Sequence, residues 1–178
     1  LLTYGGNLGV SQGLLFLLDI IKAYQHNKSV KFLLVGEGTW YKRIESFIHK
    51  GGYRNVILLQ RVAPVIFRDM LIASDFGLIF LNPKFTIPNF PSRLTSYLEA
   101  GLPVIACTDQ SSDIGDVVEK AGCGYKVLSG DIVSFEKAIS LILRSPDFSD
   151  QMRVKARTLF VDSYTTAISY SSIISALH

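Results

Sequence analysis

The sequence predicts an α/β domain with a Rossmann-like, doubly wound parallel sheet of about six strands and helices on both faces. Apolar runs of strand length alternate with amphipathic runs of helix length through residues 2–127. Repeated β-α units of this kind form parallel sheets with right-handed crossovers. Apolar residues make up 48% of the 178 residues, as expected when strands are buried on both faces. We therefore expect residues 1–178 to form a single domain.

The predicted strands are short apolar runs at 2–4, 31–35, 56–59, 76–81, 104–107 and 124–127. Helices are expected at 11–25, 39–49, 64–73 and 114–121, followed by three helices after Asp131 that break near 145–146 and 162–163. The first helix carries apolar residues at helical spacing, which predicts a wide buried stripe. These residues are Leu14, Leu15, Leu18, Ile20 and Ile21.

A further helix is predicted between Pro91 and Gly101. Pro91 and Ser92 suit the first turn and the N-cap, Gly101 ends the helix, and Pro103 prevents it from resuming. Arg93 would lie beside open backbone N–H groups, where a phosphate can bind. The alternative is a surface arginine paired with an aspartate or glutamate.

Two glycine-rich segments follow predicted strands. The segment at 5–13 can turn its backbone N–H groups toward an anion, but it lacks the Lys and Ser/Thr of a nucleotide-hydrolysing P-loop. The segment at 36–38 begins a dinucleotide fingerprint whose third glycine is replaced by Tyr41, which disfavours NAD binding. A flexible turn at 5–13 and a tight strand-to-helix turn at 36–38 are the structural alternatives.

Several function classes are disfavoured. The net charge of +3 is too small and too dispersed to indicate nucleic-acid binding. Cys107 and Cys123 have no metal-ligand spacing and are interpreted as buried free thiols. The three histidines match no metal or catalytic-triad spacing, so no catalytic residue is predicted and no metal is expected.

Six segments in this order together resemble the C-terminal domain of the family 4 glycosyltransferases, which have the GT-B fold. They read GGNLGVSQGL, FLLVGEG, NVILLQRV, MLIASDFGLIFL, PSRLTSYLEAGLPVIA and EKAGCGYKV. The last two resemble the branch that builds bacterial surface polysaccharides.

This resemblance implies that the chain binds a nucleotide-sugar donor, for which we expect a UDP-sugar, with no cofactor and no metal. The full protein would be a retaining hexosyl or aminosugar transferase acting on a lipid-linked glycan. The chain is expected to be a fragment lacking the N-terminal acceptor domain, and to be inactive alone. We expect a cytoplasmic location, with a peripheral position at the inner face of the membrane left open.

The resemblance also implies the site. The first loop would lie against the diphosphate, residues 60–62 beside the base, Gly36, Glu37 and Gly38 along the nucleotide cleft, and residues 89–93 near the donor sugar and phosphates. The predicted donor-binding residues are Gly6, Asn7, Gly9, Gln12, Gly36, Gly38, Gln60, Arg61, Val62, Asn89, Phe90, Ser92, Arg93 and Ser96.

This sequence departs from the family pattern at four positions. Asn7 and Gln12 stand where the family usually has Arg and Lys, and Pro88 and Ser96 stand where it has two glutamates. Arg93 is the candidate replacement for the lost cations. Three alternatives stay open: a non-catalytic sugar-nucleotide-binding or scaffold module, an NAD-dependent sugar-nucleotide-modifying domain, and a phosphorylase of the same fold.

Overall fold

The computed structural model describes residues 1–84 and 91–176 and contains one sheet of six parallel strands in the order β3-β2-β1-β4-β5-β6. They are β1 (Leu2–Asn7), β2 (Phe32–Glu37), β3 (Val56–Leu59), β4 (Phe76–Phe80), β5 (Val104–Thr108) and β6 (Gly124–Leu128). The predicted fold class and strand number are confirmed. Two boundaries were wrong: residues 5–7 belong to β1, and Gly36 and Glu37 belong to β2, because the two strands stay paired through these residues.

The helices occupy the predicted positions. They are α1 (Leu14–Ala23), α2 (Tyr41–Gly51), α3 (Pro64–Ile72), α4 (Arg93–Glu99), α5 (Ile114–Lys120), α6 (Ile132–Arg144), α7 (Pro146–Ser163) and α8 (Thr166–Ala176). The helix expected at 11–25 is a 3₁₀ turn at Val10–Gln12 followed by α1, with Gly13 in the left-handed conformation between them.

The buried stripe of α1 is wide, as predicted, but it includes Phe16 and Leu17 and excludes Leu15. Leu14, Leu18 and Ile21 are buried as predicted, but Leu15 is 56% exposed. Leu15 shares its helix face with the exposed Asp19, four residues later, so it points away from the sheet.

Two apolar layers cover the sheet. Buried side chains of α1, α2 and α6 form a core with Phe32 and Phe80 on one face. Buried side chains of α3, α4 and α5 form the other core with Ile79 and Val104. Among the described residues, none of the helices combines the length and apolar character needed to cross a bilayer.

The strand order reverses between β1 and β4, and these two strands separate early. Their pairing ends at Thr3 and Gly77, whereas β1 pairs with β2 along its whole length. A Cβ added at Gly77 would lie 2.5 Å from the Tyr97 ring, so this glycine lets α4 approach the sheet closely. Ligands of open α/β sheets bind at the carboxyl ends of the strands near such a reversal.

The start of α4 differs from the expected N-cap. Ser92 has helical backbone angles (φ −56°, ψ −22°) and its side chain makes no capping hydrogen bond. A serine caps a helix from an extended conformation, which Ser92 does not adopt. Instead, the Thr95 hydroxyl donates to the Ser92 carbonyl at 2.7 Å. Gly101, with φ +64°, follows the helix end as predicted.

Candidate functional site

A cleft of about 460 Å³ lies where β1, β2 and β3 end, beside the strand reversal. Its lining includes residues predicted from the sequence and others that were not. They are Gly6, Asn7, Val35, Gly36, Glu37, Arg61, Val62, Pro64 and Phe67. Five of these, Gly6, Asn7, Gly36, Arg61 and Val62, are predicted donor-binding residues, and Glu37 was also expected to line the cleft. The volume falls within the range of small-molecule sites, roughly 300–1,000 Å³.

Bare backbone forms part of the cleft where β1 and β2 meet. A Cβ added at Gly36 would lie 1.9 Å from the Gly6 carbonyl oxygen, so any side chain would force the two strands apart. The absence of side chains here lets a ligand approach the backbone. Gly36 therefore allows β1 and β2 to approach closely, and this structural role is compatible with its predicted position along the nucleotide cleft.

An ion pair crosses between the ends of β2 and β3. Arg61 donates to the Glu37 carboxylate at 3.1 Å, and both side chains are more than half exposed. A pair this exposed contributes at most about 1 kcal/mol to stability. It places one donor and one acceptor at the cleft, next to the backbone of Val62.

Arg93 reaches from the first residue of α4 to the segment that follows β1. Its Nη2 atom donates to the Gln12 side-chain oxygen at 2.6 Å, and its guanidinium carbon lies 4.4 Å from the centroid of the Tyr4 ring. The interpretation of Arg93 as a surface residue paired with an acid was wrong, because its partner is the neutral amide of Gln12. Arg93 also lies close to the glycine-rich segment, since a Cβ built on Gly6 would lie 3.7 Å from Nη2.

The other terminal nitrogen of Arg93 has no partner among the described residues. Nη1 is buried and makes no hydrogen bond there. Arginine stays protonated in proteins, so this is a charged donor with an unmet requirement for an acceptor. A phosphate or carboxylate oxygen would satisfy it with a charge-assisted hydrogen bond.

Two buried tyrosines surround this guanidinium and remain neutral. Burial raises the pKa of Tyr97 to about 12, although the positive charge of Arg93 acts in the opposite direction. Burial also raises the pKa of Tyr4, although the positive charge of Arg93 acts in the opposite direction. Neither phenol ionises near neutral pH, so neither cancels the charge that Arg93 offers to an anion.

The remaining predicted residues occupy several positions. Gln60 is exposed immediately after β3, and Gly9 immediately precedes the 3₁₀ turn. Ser92 immediately precedes α4, and Ser96 lies within that helix. The backbone of Gly38 packs against the Leu8 carbonyl, where an added Cβ would lie 2.5 Å from the oxygen, which supports the turn interpretation. Asn89 and Phe90 lie outside the described residues.

Sequence reasoning missed Tyr4 and Tyr97 as parts of the site, because both read as ordinary apolar core positions. The available signal was the spacing of Arg93 and Tyr97, which are four residues apart and so share a helix face. Phe67 was also missed. It lies beneath the cleft, where its ring occupies the space that a side chain at Gly5 would need.

The titratable residues give no sign of a metal centre. Within residues 1–84 and 91–176, no three His, Cys, Asp or Glu side chains lie close enough together to hold an ion. Cys107 and Cys123 are buried free thiols, as predicted.

The strand order, the two helical layers and the cleft at the strand reversal define a Rossmann-like domain of the GT-B glycosyltransferase class. Residues 1–145 match the profile of the family Glycosyl transferases group 1, and the chain belongs to that family. No curated protein matches it significantly.

Solved structures support the fold. Anabaena HepE in complex with UDP superposes with a TM-score of 0.79 at 18% identity, covering 98% of this chain and 48% of that one. S. aureus TarM gives a TM-score of 0.77 at 17% identity, covering 97% and 34%. A glycosyltransferase from Rickettsia africae gives 0.79 at 12% identity, covering 98% and 46%. The chain spans a third to a half of the length of these proteins.

Proposed function

We propose that this chain is the C-terminal, donor-binding domain of a retaining family 4 glycosyltransferase that uses a UDP-sugar in surface-polysaccharide synthesis. The observation that carries the proposal is the buried Nη1 of Arg93, which has no partner among the described residues, on a guanidinium that lies beside Gly6 near the end of β1. The family and fold support it, and so does the UDP complex of Anabaena HepE, a structure with the same fold.

The site divides into two parts with different chemistry. The cleft beside Arg61 and Val62 has the size for a nucleoside, whose base would lie against the backbone that follows β3. The diphosphate would extend toward Gly6, Gln12 and Arg93. In this arrangement base recognition and phosphate recognition depend on different residues and can be tested separately.

Arg93 would also assist departure of the nucleoside diphosphate. Breaking the bond between sugar and phosphate increases negative charge on the phosphate, and a fixed guanidinium stabilises that charge more than it stabilises the bound donor. This contribution requires no metal, which agrees with our proposal that the transferase needs none.

The acceptor side of the reaction would come from another domain. We propose an N-terminal Rossmann-like domain that holds a lipid-linked glycan, in a cytoplasmic protein that works at the inner face of the membrane. Because half of the active-site cleft would then be contributed by that domain, the isolated chain should transfer no sugar. Detectable turnover of a UDP-sugar by the chain alone, with a lipid-linked acceptor, would contradict this.

Calorimetric titration of the chain with UDP, GDP, ADP, NAD and uridine tests the donor assignment. UDP should bind, although weakly, and NAD should bind less tightly than the nucleoside diphosphates. Tighter binding of NAD than of any nucleoside diphosphate would refute the proposal.

The same titration with Arg93→Ala tests the phosphate role. Loss of a charge-assisted hydrogen bond costs about 1.5–3 kcal/mol, so the Kd for UDP should rise roughly 10- to 150-fold. Uridine, which has no phosphate, should be affected less than twofold. The matched control is Arg43→Ala, which removes another arginine stacked on an aromatic ring, 4.3 Å from the Trp40 centroid and away from the cleft. Equal losses for UDP and uridine would show that Arg93 does not act on phosphate.

A non-catalytic sugar-nucleotide-binding module is the second candidate. It is favoured by Ser96, which stands on α4 where a carboxylate would be expected in a transferase of this family. Assaying the full-length protein with a panel of nucleotide-sugar donors separates the two, since a binding module would bind donors without turnover.

A further inference from the structure

The Arg93 side chain is held in place by contacts from two other elements. From β1, the Tyr4 ring lies under the guanidinium, with its centroid 4.4 Å from the guanidinium carbon. From the 3₁₀ turn, the Gln12 side-chain oxygen accepts from Nη2 at 2.6 Å. These contacts use one face and one terminal nitrogen of the guanidinium, and within the described part of the chain Nη1 is buried without a partner.

Both supporting side chains are themselves fixed. Tyr4 is fully buried, and its hydroxyl donates to the Asn7 carbonyl at 2.7 Å. Gln12 is 8% exposed, and its amide nitrogen donates to the Ser11 hydroxyl at 3.2 Å, which leaves its oxygen facing Arg93. The guanidinium is therefore restrained by groups that have little freedom of their own.

The chemistry of these supports preserves the positive charge. A carboxylate at position 12 would orient Arg93 equally well, but it would neutralise the charge that a phosphate needs. The amide of Gln12 and the neutral phenol of Tyr4 orient the guanidinium without cancelling its charge. An arginine fixed in this way loses less side-chain freedom when a ligand binds than a mobile surface arginine would.

We propose that Tyr4 and Gln12 are positioning residues that preorganise Arg93 for a phosphate group. Neither needs to touch the ligand: each acts on the nucleotide through the orientation of the guanidinium. This inference rests on the proposed function of the site, and it adds the residues that determine how strongly the site discriminates UDP from uridine.

Gln12→Met tests the amide contact, because methionine has a similar length and lacks the hydrogen-bonding oxygen. The Kd for UDP should rise about three- to tenfold while that for uridine changes less than twofold. In the Arg93→Ala background, the same substitution should change UDP affinity less than twofold, because no guanidinium is left to position. A loss of UDP affinity that persists in that background would show that Gln12 contacts the phosphate directly, and would overturn the inference.

Tyr4 is tested with a pair of variants. Tyr4→Phe retains the ring beneath the guanidinium and should bind UDP within about twofold of wild type. Tyr4→Leu removes the ring and should weaken UDP about three- to tenfold with little effect on uridine. Circular dichroism establishes whether each variant folds. If Tyr4→Leu does not fold, the inference is tested by the effect of Gln12→Met in the wild-type and Arg93→Ala backgrounds alone.

The two possible failures give different results. If Arg93→Ala weakens UDP and uridine equally, the phosphate role fails, and the positioning inference is overturned with it. If Arg93→Ala weakens UDP selectively while Gln12→Met and a folded Tyr4→Leu do not, the proposed function stands and the positioning inference alone is overturned.

Discussion

The hydroxyl group of Tyr97 closes the gap that opens where β1 and β4 separate. It accepts from the Gly5 backbone N–H at 3.0 Å and donates to the Leu78 carbonyl at 3.3 Å. Tyr97→Phe keeps the ring that packs on Gly77 and removes only this bridge. The Gly5 N–H then becomes a buried donor without a partner, which costs about 1–3 kcal/mol.

For a domain of this size, a loss of about 2 kcal/mol should lower Tm by roughly 4–8 °C. Equilibrium unfolding in guanidinium chloride gives the free-energy change, and amide hydrogen exchange should show faster exchange at Gly5. The matched control is Tyr170→Phe, since Tyr170 is 66% exposed and its hydroxyl lies in α8, away from the sheet. If Tyr97→Phe unfolds at the same midpoint and with the same slope as wild type, the bridge does not stabilise the fold and this reasoning is wrong.

The remaining predictions concern the close contact between β1 and β2 at Gly36 and the two buried cysteine thiols. Gly36→Ala should lower the free energy of unfolding by about 3 kcal/mol or more, because its Cβ would overlap the Gly6 carbonyl. Gly52→Ala is the control: its Cβ would meet nothing, so it should lower the free energy of unfolding by only about 1–2 kcal/mol, the cost of its left-handed backbone. Denaturant titration of the two variants measures the difference. Burial raises the pKa of Cys107 well above its ordinary value and that of Cys123 to about 11, so neither should react with a thiol reagent at about pH 8 until the chain unfolds. Because the raised pKa of Cys123 favours the protonated folded state, its contribution to stability should be complete below about pH 9 and be lost as the pH rises toward 11. Equal labelling rates in native and denatured protein would contradict the thiol prediction.

The sequence predicted the fold well because its signals are local and mutually consistent. Each strand is a short apolar run with a turn on either side, and Pro146 and Gly101 mark helix boundaries that the structure confirms. The errors in the strand boundaries came from pairing. Gly6 and Asn7 look like loop residues locally, but β2 continues beside them and extends the strand.

The position of the cleft was predictable, but the contacts around it were not. Glycine-rich segments after strands identified the edge of the sheet, and six lining residues of the cleft were among those expected there. The contact between Arg93 and Gln12 joins residues 81 positions apart, and spacing within one segment cannot reveal a partner at that distance. The position of the Tyr4 ring beneath the guanidinium likewise depends on how α4 packs against β1.

Helix α4 links the stability of the sheet to the charge of the site. Arg93 and Tyr97 are four residues apart on one face, and both extend into the region where β1 and β4 diverge. Tyr97 satisfies backbone groups that the divergence leaves unpaired, so its interaction is complete without a ligand. Arg93 keeps one buried donor unsatisfied, which is unfavourable in the free domain and becomes favourable only when an acceptor arrives. The same divergence of strands therefore requires a stabilising residue and, under the proposed function, would also provide the opening for the phosphate, with one helix supplying the side chain for each purpose.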